Sequence, residues 1–95
     1  MSTYIILVRV SPGSFKDSQD VKQAADVMLA KLKSDCPEVV WKDSYATMGR
    51  FDFVDIVEAD DPNKVQKAAM IISAYAHATT ETLLATPWQE FYANL

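Results

Sequence analysis

Thr3-Tyr4-Ile5-Ile6-Leu7-Val8-Arg9-Val10 decides the fold. The run is β-branched and apolar, and it reads as a first strand. A strand with one wet face alternates apolar and polar side chains. This one does not. Tyr4, Ile6 and Val8 point one way, while Ile5 and Leu7 point the other. Phe51 to Glu58 reads as a strand of the same kind, with Phe51, Phe53 and Val57 opposed to Val54 and Ile56. The sheet these strands form is apolar on both sides and needs cover on both.

The remaining elements follow outward from these two. Ser11-Pro12-Gly13-Ser14 ends the first strand. Ser18 to Asp35 reads as a helix, capped by Asp17 or Ser18, with Asp20 in its first turn. Its apolar stripe is Val21, Ala24, Ala25, Met28, Leu29 and Leu32, at spacings of three and four. Pro37 stops further helix. Val39 to Thr47 reads as a strand, joined to Phe51–Glu58 by a tight hairpin at Met48-Gly49. Asp61-Pro62 starts a second helix that runs to about Tyr75, with Val65, Ala68, Ala69, Ile72 and Ala76 inward. Ala78 to Ala85 is a threonine-rich fourth strand. Thr86 and Gln89 are spaced for a capping box on a short last helix.

The order is β-α-β-β-α-β plus a tail. Short connections and crossover handedness make a four-stranded antiparallel ferredoxin-like sheet the simplest α+β solution. Two helices cover one face of such a sheet. A second sheet from an identical subunit is the expected cover for the other, giving a dimeric α+β barrel. A monomer with the tail helix laid over the sheet is the alternative.

Composition narrows the class further. The 95 residues fit one domain, 1–95, with 49% hydrophobic and 23% charged residues. The net charge of −4 argues against a nucleic-acid protein that works through a basic surface. One cysteine, Cys36, excludes a disulfide scaffold. The apolar run Tyr4–Val8 is too short for a signal-peptide core or a membrane helix, so no membrane partner and a cytoplasmic location are expected.

Thr47-Met48-Gly49-Arg50-Phe51-Asp52, leading into Glu58-Ala59-Asp60-Asp61, resembles the GYD domain family of small bacterial and archaeal proteins. Thr80-Glu81-Thr82-Leu83 is similar to that family's last strand. The aromatic of the signature is Phe51, where the family usually carries tyrosine. The resemblance implies a ferredoxin-like dimeric barrel and no assigned reaction. Barrels of this kind host cofactor-free monooxygenases, isomerases, haem enzymes and amino-acid sensors, and fold alone does not choose among them.

The residues that bear chemistry are few. Arg50 and Asp52, two apart, share a face at a strand start and can grip a polar ligand or each other. Asp52 lies beside Ser44 and Lys42 in one hairpin register, and beside Tyr45 and Trp41 in the other. His77 is the only histidine and forms an alternating row with Thr79 and Glu81 if the fourth strand begins there. His77 and Glu81 sit roughly 13 Å apart on a strand, too far to share a metal ion unaided. No metal site is expected. Glu81 faces solvent, a partner subunit or a cavity. Cys36 has no partner for nucleophilic work, and the tail aromatics Trp88, Phe91 and Tyr92 read as packing.

The expected function is a homo-oligomeric small-molecule-binding, sensor or accessory module without cofactor, with ligand contacts from Tyr45, Arg50, Asp52, His77 and Glu81. A cofactor-independent monooxygenase or isomerase is the enzyme alternative, with catalytic residues unassigned. A protein whose role is assembly itself is the third.

Overall fold

The computed structural model describes residues 1–95. The chain runs β1 (Ser2–Val10), α1 (Ser18–Asp35), β2 (Val40–Ala46), β3 (Phe53–Ala59), α2 (Pro62–Ala76), β4 (Ala78–Ala85) and α3 (Trp88–Ala93). The strands form one antiparallel sheet in the order β2-β3-β1-β4, the ferredoxin-like arrangement. No helix is long and apolar enough to cross a membrane.

Each helix starts where its sequence allows. The Asp17 carboxylate accepts from the Asp20 N–H at 3.0 Å, and the Asp20 carboxylate accepts from the Lys16 N–H at 3.2 Å. Asp61 caps α2 by accepting from the Asn63 N–H at 2.9 Å, with Pro62 in the first turn. The expected box on α3 does not form. Its N-cap is Pro87, which has no side-chain oxygen to offer, and the first helical bond runs from the Phe91 N–H to the Pro87 carbonyl at 3.0 Å.

The core lies on one side of the sheet. Tyr4, Ile6 and Val8 of β1 and Val57 and Ala59 of β3 meet Val65, Ala68 and Ile72 of α2, closed at one end by Leu32, Cys36 and Val39. The opposite side carries Ile5 paired with Ile56, Leu7 paired with Val54, and Leu83 of β4 beside Ile5. No element of the chain covers it. The molecule is 17 Å through its thinnest direction, the depth of one sheet and one helix layer. The tail does not fold back as cover: α3 makes no close backbone approach to another helix or strand, and Trp88, Phe91 and Tyr92 stay exposed. Trp88 packs on Phe91 and Tyr92 within α3, with ring centroids 5.9 and 6.1 Å away. The chain exposes 6658 Å². A compact monomer of this mass exposes roughly 5,500 Å².

The β2–β3 connection is longer than a tight hairpin. β2 ends at Ala46 and β3 begins at Phe53, leaving a six-residue loop, 47–52. The Thr47 N–H bonds the Asp52 carbonyl at 2.8 Å, and the Thr47 hydroxyl bonds the Phe51 carbonyl at 2.6 Å. Asp52 is also held by β1, which keeps it out of a two-residue turn: its N–H bonds the Val8 carbonyl at 2.8 Å. Gly49 supplies the positive φ the loop needs, at 113°. Neither simple register holds in β2, because the pairing with β3 slips by one residue at Lys42. Trp41, Ser44 and Ala46 consequently share the helix side, and Asp43 and Tyr45 the open side.

Lys64 ties the ends of β2 and β3 together, reaching Glu38 at 2.7 Å and Asp60 at 3.1 Å. The ammonium holds the Asp60 carboxyl below its ordinary range. Burial raises the Cys36 thiol above its ordinary pKa.

Two outcomes test this packing. Ile6→Ala, at a fully buried position, should lower stability by about 2–5 kcal/mol in urea titration. Cys36 should react with a thiol reagent far more slowly in the native protein than in 6 M guanidinium, about the strength that unfolds even very stable domains. Equal rates would mean the α1 end is not closed.

Candidate functional site

α1 is seated on the core only toward its C-terminal end, through Leu32 and Met28. It packs along α2 and makes no close backbone approach to any strand. Of its stripe only Leu32 is buried; Val21 is 39% and Leu29 48% exposed. The stripe predicted to face the core instead forms one wall of a cleft. Local residue size explains the gap. The C-terminal end of α1 is anchored in the core by Leu32 and Cys36. Toward its N-terminus, Trp41 and Phe53 stand up from the sheet, while Ala24 and Ala25 on the helix are too short to fill the space above them.

The cleft has a volume of about 330 Å³, at the small end of ligand sites. Its helix wall is Ala24, Ala25, Met28 and Leu32, with Val21 and Leu29 at the rim. Its floor includes Val8, Trp41 and Phe53, and Phe15 stands beside it. The polar side chains among the lining residues are those of Ser44, Tyr45 and Asp55. Asp55 is the one charged group. It lies in the middle of β3, between Ile6 of β1 and Ser44 of β2 on the helix side. It is half-buried and belongs to none of the chain's ion pairs, which are Lys31–Asp35, Lys42–Glu58, Lys64–Glu38 and Lys64–Asp60.

The five residues expected to contact a ligand fall in three places. Tyr45 and Glu81 pair with Val54 and Leu7 in the open-side row, and Tyr45 also borders the cleft. They sit on the two outer strands, about 14 Å apart across three strand spacings. Arg50 is on the exposed loop, its guanidinium 5.3 Å from the Phe51 ring centroid. Asp52 and His77 come together at the end of β1. The Asp52 carboxylate accepts from the Val10 N–H at 2.7 Å, and the His77 carbonyl accepts from the Ser11 N–H at 2.9 Å. His77 is the left-handed cap of α2 rather than the first residue of β4 (φ 51°), and its ring meets Phe15 edge-on at 6.1 Å. Its place at the cap removes it from the row with Thr79 and Glu81. No group of three or more His, Cys, Asp and Glu side chains is placed to hold a metal ion.

The GYD domain model matches residues 4–95. The chain belongs to the GYD domain family. A Thermus thermophilus glutamine synthetase and cystathionine beta-lyase binding protein is 37% identical over 51 residues, which are 54% of this chain and 54% of that protein. The chain thus matches about half the length of this curated relative. Among solved structures, a hypothetical protein of Pyrococcus horikoshii aligns with TM-score 0.55 and 26% identity, over 92% of each chain. The Mycobacterium tuberculosis leucine response regulatory protein aligns with TM-score 0.60 and 15% identity, over 90% of this chain and 51% of that one. This last likeness is one of fold.

In this GYD domain the family signature builds the loop that seats the end of β1. Gly49 turns the chain, Arg50 covers Phe51, and Asp52 takes over the Val10 N–H that β3 no longer reaches. Sequence reasoning passed over Asp55. The available signal was a carboxylate interrupting the apolar run Phe53-Val54-Asp55-Ile56-Val57 of a central strand.

Asp52→Ala should cost about 1–3 kcal/mol, the range for a hydrogen bond to a charged group and the N–H left behind. Amide exchange at Val10 should quicken with it. Unchanged protection at Val10 would show that the carboxylate is dispensable to the loop.

Proposed function

We propose that this GYD domain is a homo-oligomeric accessory module that binds a small molecule in the cleft beneath α1. The observation that carries the reading is the apolar cleft of about 330 Å³ left open along the stripe of α1. An amphipathic helix normally buries its stripe, and the hydrophobic effect closes such a gap unless side-chain shape prevents it. Here the walls are apolar and the volume suits a small ligand. The Thermus relative is described as a binding protein for two metabolic enzymes, which agrees with an accessory role.

The open side supports assembly. Ile5, Leu7, Val54, Ile56 and Leu83 form one continuous apolar surface, with Tyr45 and Glu81 toward its edges. The surface exposed beyond that of a compact monomer is comparable to the ~800 Å² per partner of a standard interface. A second copy that lays its own sheet on this one covers both. In that assembly Tyr45 and Glu81 are interface residues.

Light scattering should give a mass of twice 10.6 kDa or a higher multiple, and Ile56→Glu should return the protein to 10.6 kDa while it stays folded. An apolar fluorescent probe should bind the parent and be excluded by Ala25→Trp, which fills the cleft. A monomeric parent removes the assembly. A probe that binds both proteins equally removes the cleft as the binding site.

A further inference from the structure

We propose that the cleft selects a cationic ligand: a small apolar amine whose ammonium pairs with Asp55. The inference rests on the reading of the cleft as a ligand site and names the chemistry it takes. The argument is one of charge balance. Asp55 is half-buried among apolar walls, and a carboxylate so placed gives up part of its hydration and gains from a donor or counter-charge brought by a ligand. Nothing in the chain supplies one. Lys31, Lys42 and Lys64 are engaged with Asp35, Glu58, and Glu38 with Asp60, and no lysine or arginine lines the cleft. The immediate neighbours of Asp55 are Ile6 and Ser44 across the strands, and Phe53 and Val57 two residues along β3.

The neighbours also define the ligand's shape. Trp41 and Phe53 contribute aromatic rings to the lining, and Met28 contributes a pliable thioether. Aromatic faces favour a cation placed near them, so the electrostatics of the floor agree with those of Asp55. Ser44 adds a hydroxyl one strand away, able to accept a second ammonium hydrogen. A single ring or short alkyl chain ending in an amine fits a site of about 330 Å³. An anionic ligand would meet Asp55 with no compensating charge on the lining. The choice of aspartate over a hydrophobic residue at a central strand position follows: it weakens the empty protein and gives the ligand its anchor.

The test uses three compounds of similar size: 2-phenylethylamine, 2-phenylethanol and 3-phenylpropionate. Binding is read from Trp41 fluorescence in a Trp88→Phe background, which leaves one tryptophan. The amine should bind about tenfold or more tighter than the alcohol, the scale of a hydrogen bond to a charged group. Asp55→Asn should abolish that preference and leave alcohol binding unchanged. Asp55→Val should unfold at a higher temperature than the parent, a readout that needs no ligand. Equal binding of amine and alcohol, or tighter binding of the carboxylate, overturns the cationic ligand while keeping the cleft as a site. No response to any of the three compounds, together with no probe excluded by Ala25→Trp, overturns both readings.

Discussion

The central strands are apolar on both faces, and the chain carries helices for only one. Ile6 and Val8 are sealed against α2, while Ile5, Leu7, Val54 and Ile56 sit on a side that no element reaches. A sheet face of this kind is costly in water, at roughly 25 cal/mol for each Å² left exposed. The rest of the architecture answers to that constraint. α2 covers the central strands β1 and β3, the β2–β3 loop seats the end of β1, and the aromatic rings of α3 stack on one another. What remains uncovered has the chemistry of an interface.

The second feature is the uneven use of two amphipathic helices. α2 buries Val65, Ala68, Ala69 and Ile72. α1, with an equally regular stripe, buries Leu32 alone. Periodicity states which side of a helix is apolar, but not how far that side stands from its neighbour. Distance is set by the size of the side chains between them. Small residues on α1 face large ones on the floor, and the result is a cleft beside a sealed core. Asp55 then lies in the part of the helix side that opens onto the cleft.

Much of this was legible in the chain. The strand order follows from the sequence of periodicities and the short links. Asp17, Asp61 and Pro62 mark helix starts because capping is a local interaction. Local rules failed where a distant strand competed. Met48-Gly49 looked like a tight turn, yet β1 holds Asp52 from across the sheet and lengthens the loop. His77 looked like a strand residue, yet α2 ends on it. The pairing open to Arg50 and Asp52 does not form: the guanidinium lies over Phe51, and the carboxylate takes the Val10 N–H.

By itself, then, the sequence determined the α+β class, the two-faced sheet and the family, because each depends on patterns carried within single elements. Only the tertiary structure decided the slip at Lys42, the capping of β1 by Asp52 and the gap under α1, since these arise where residues remote in the chain meet. A one-residue slip exchanges the faces of every side chain beyond it. That slip aligns Trp41 with Ser44 and Ala46 on the helix side. Pairing across β3 then sets Ser44 beside Asp55, and no spacing in the sequence announces that juxtaposition.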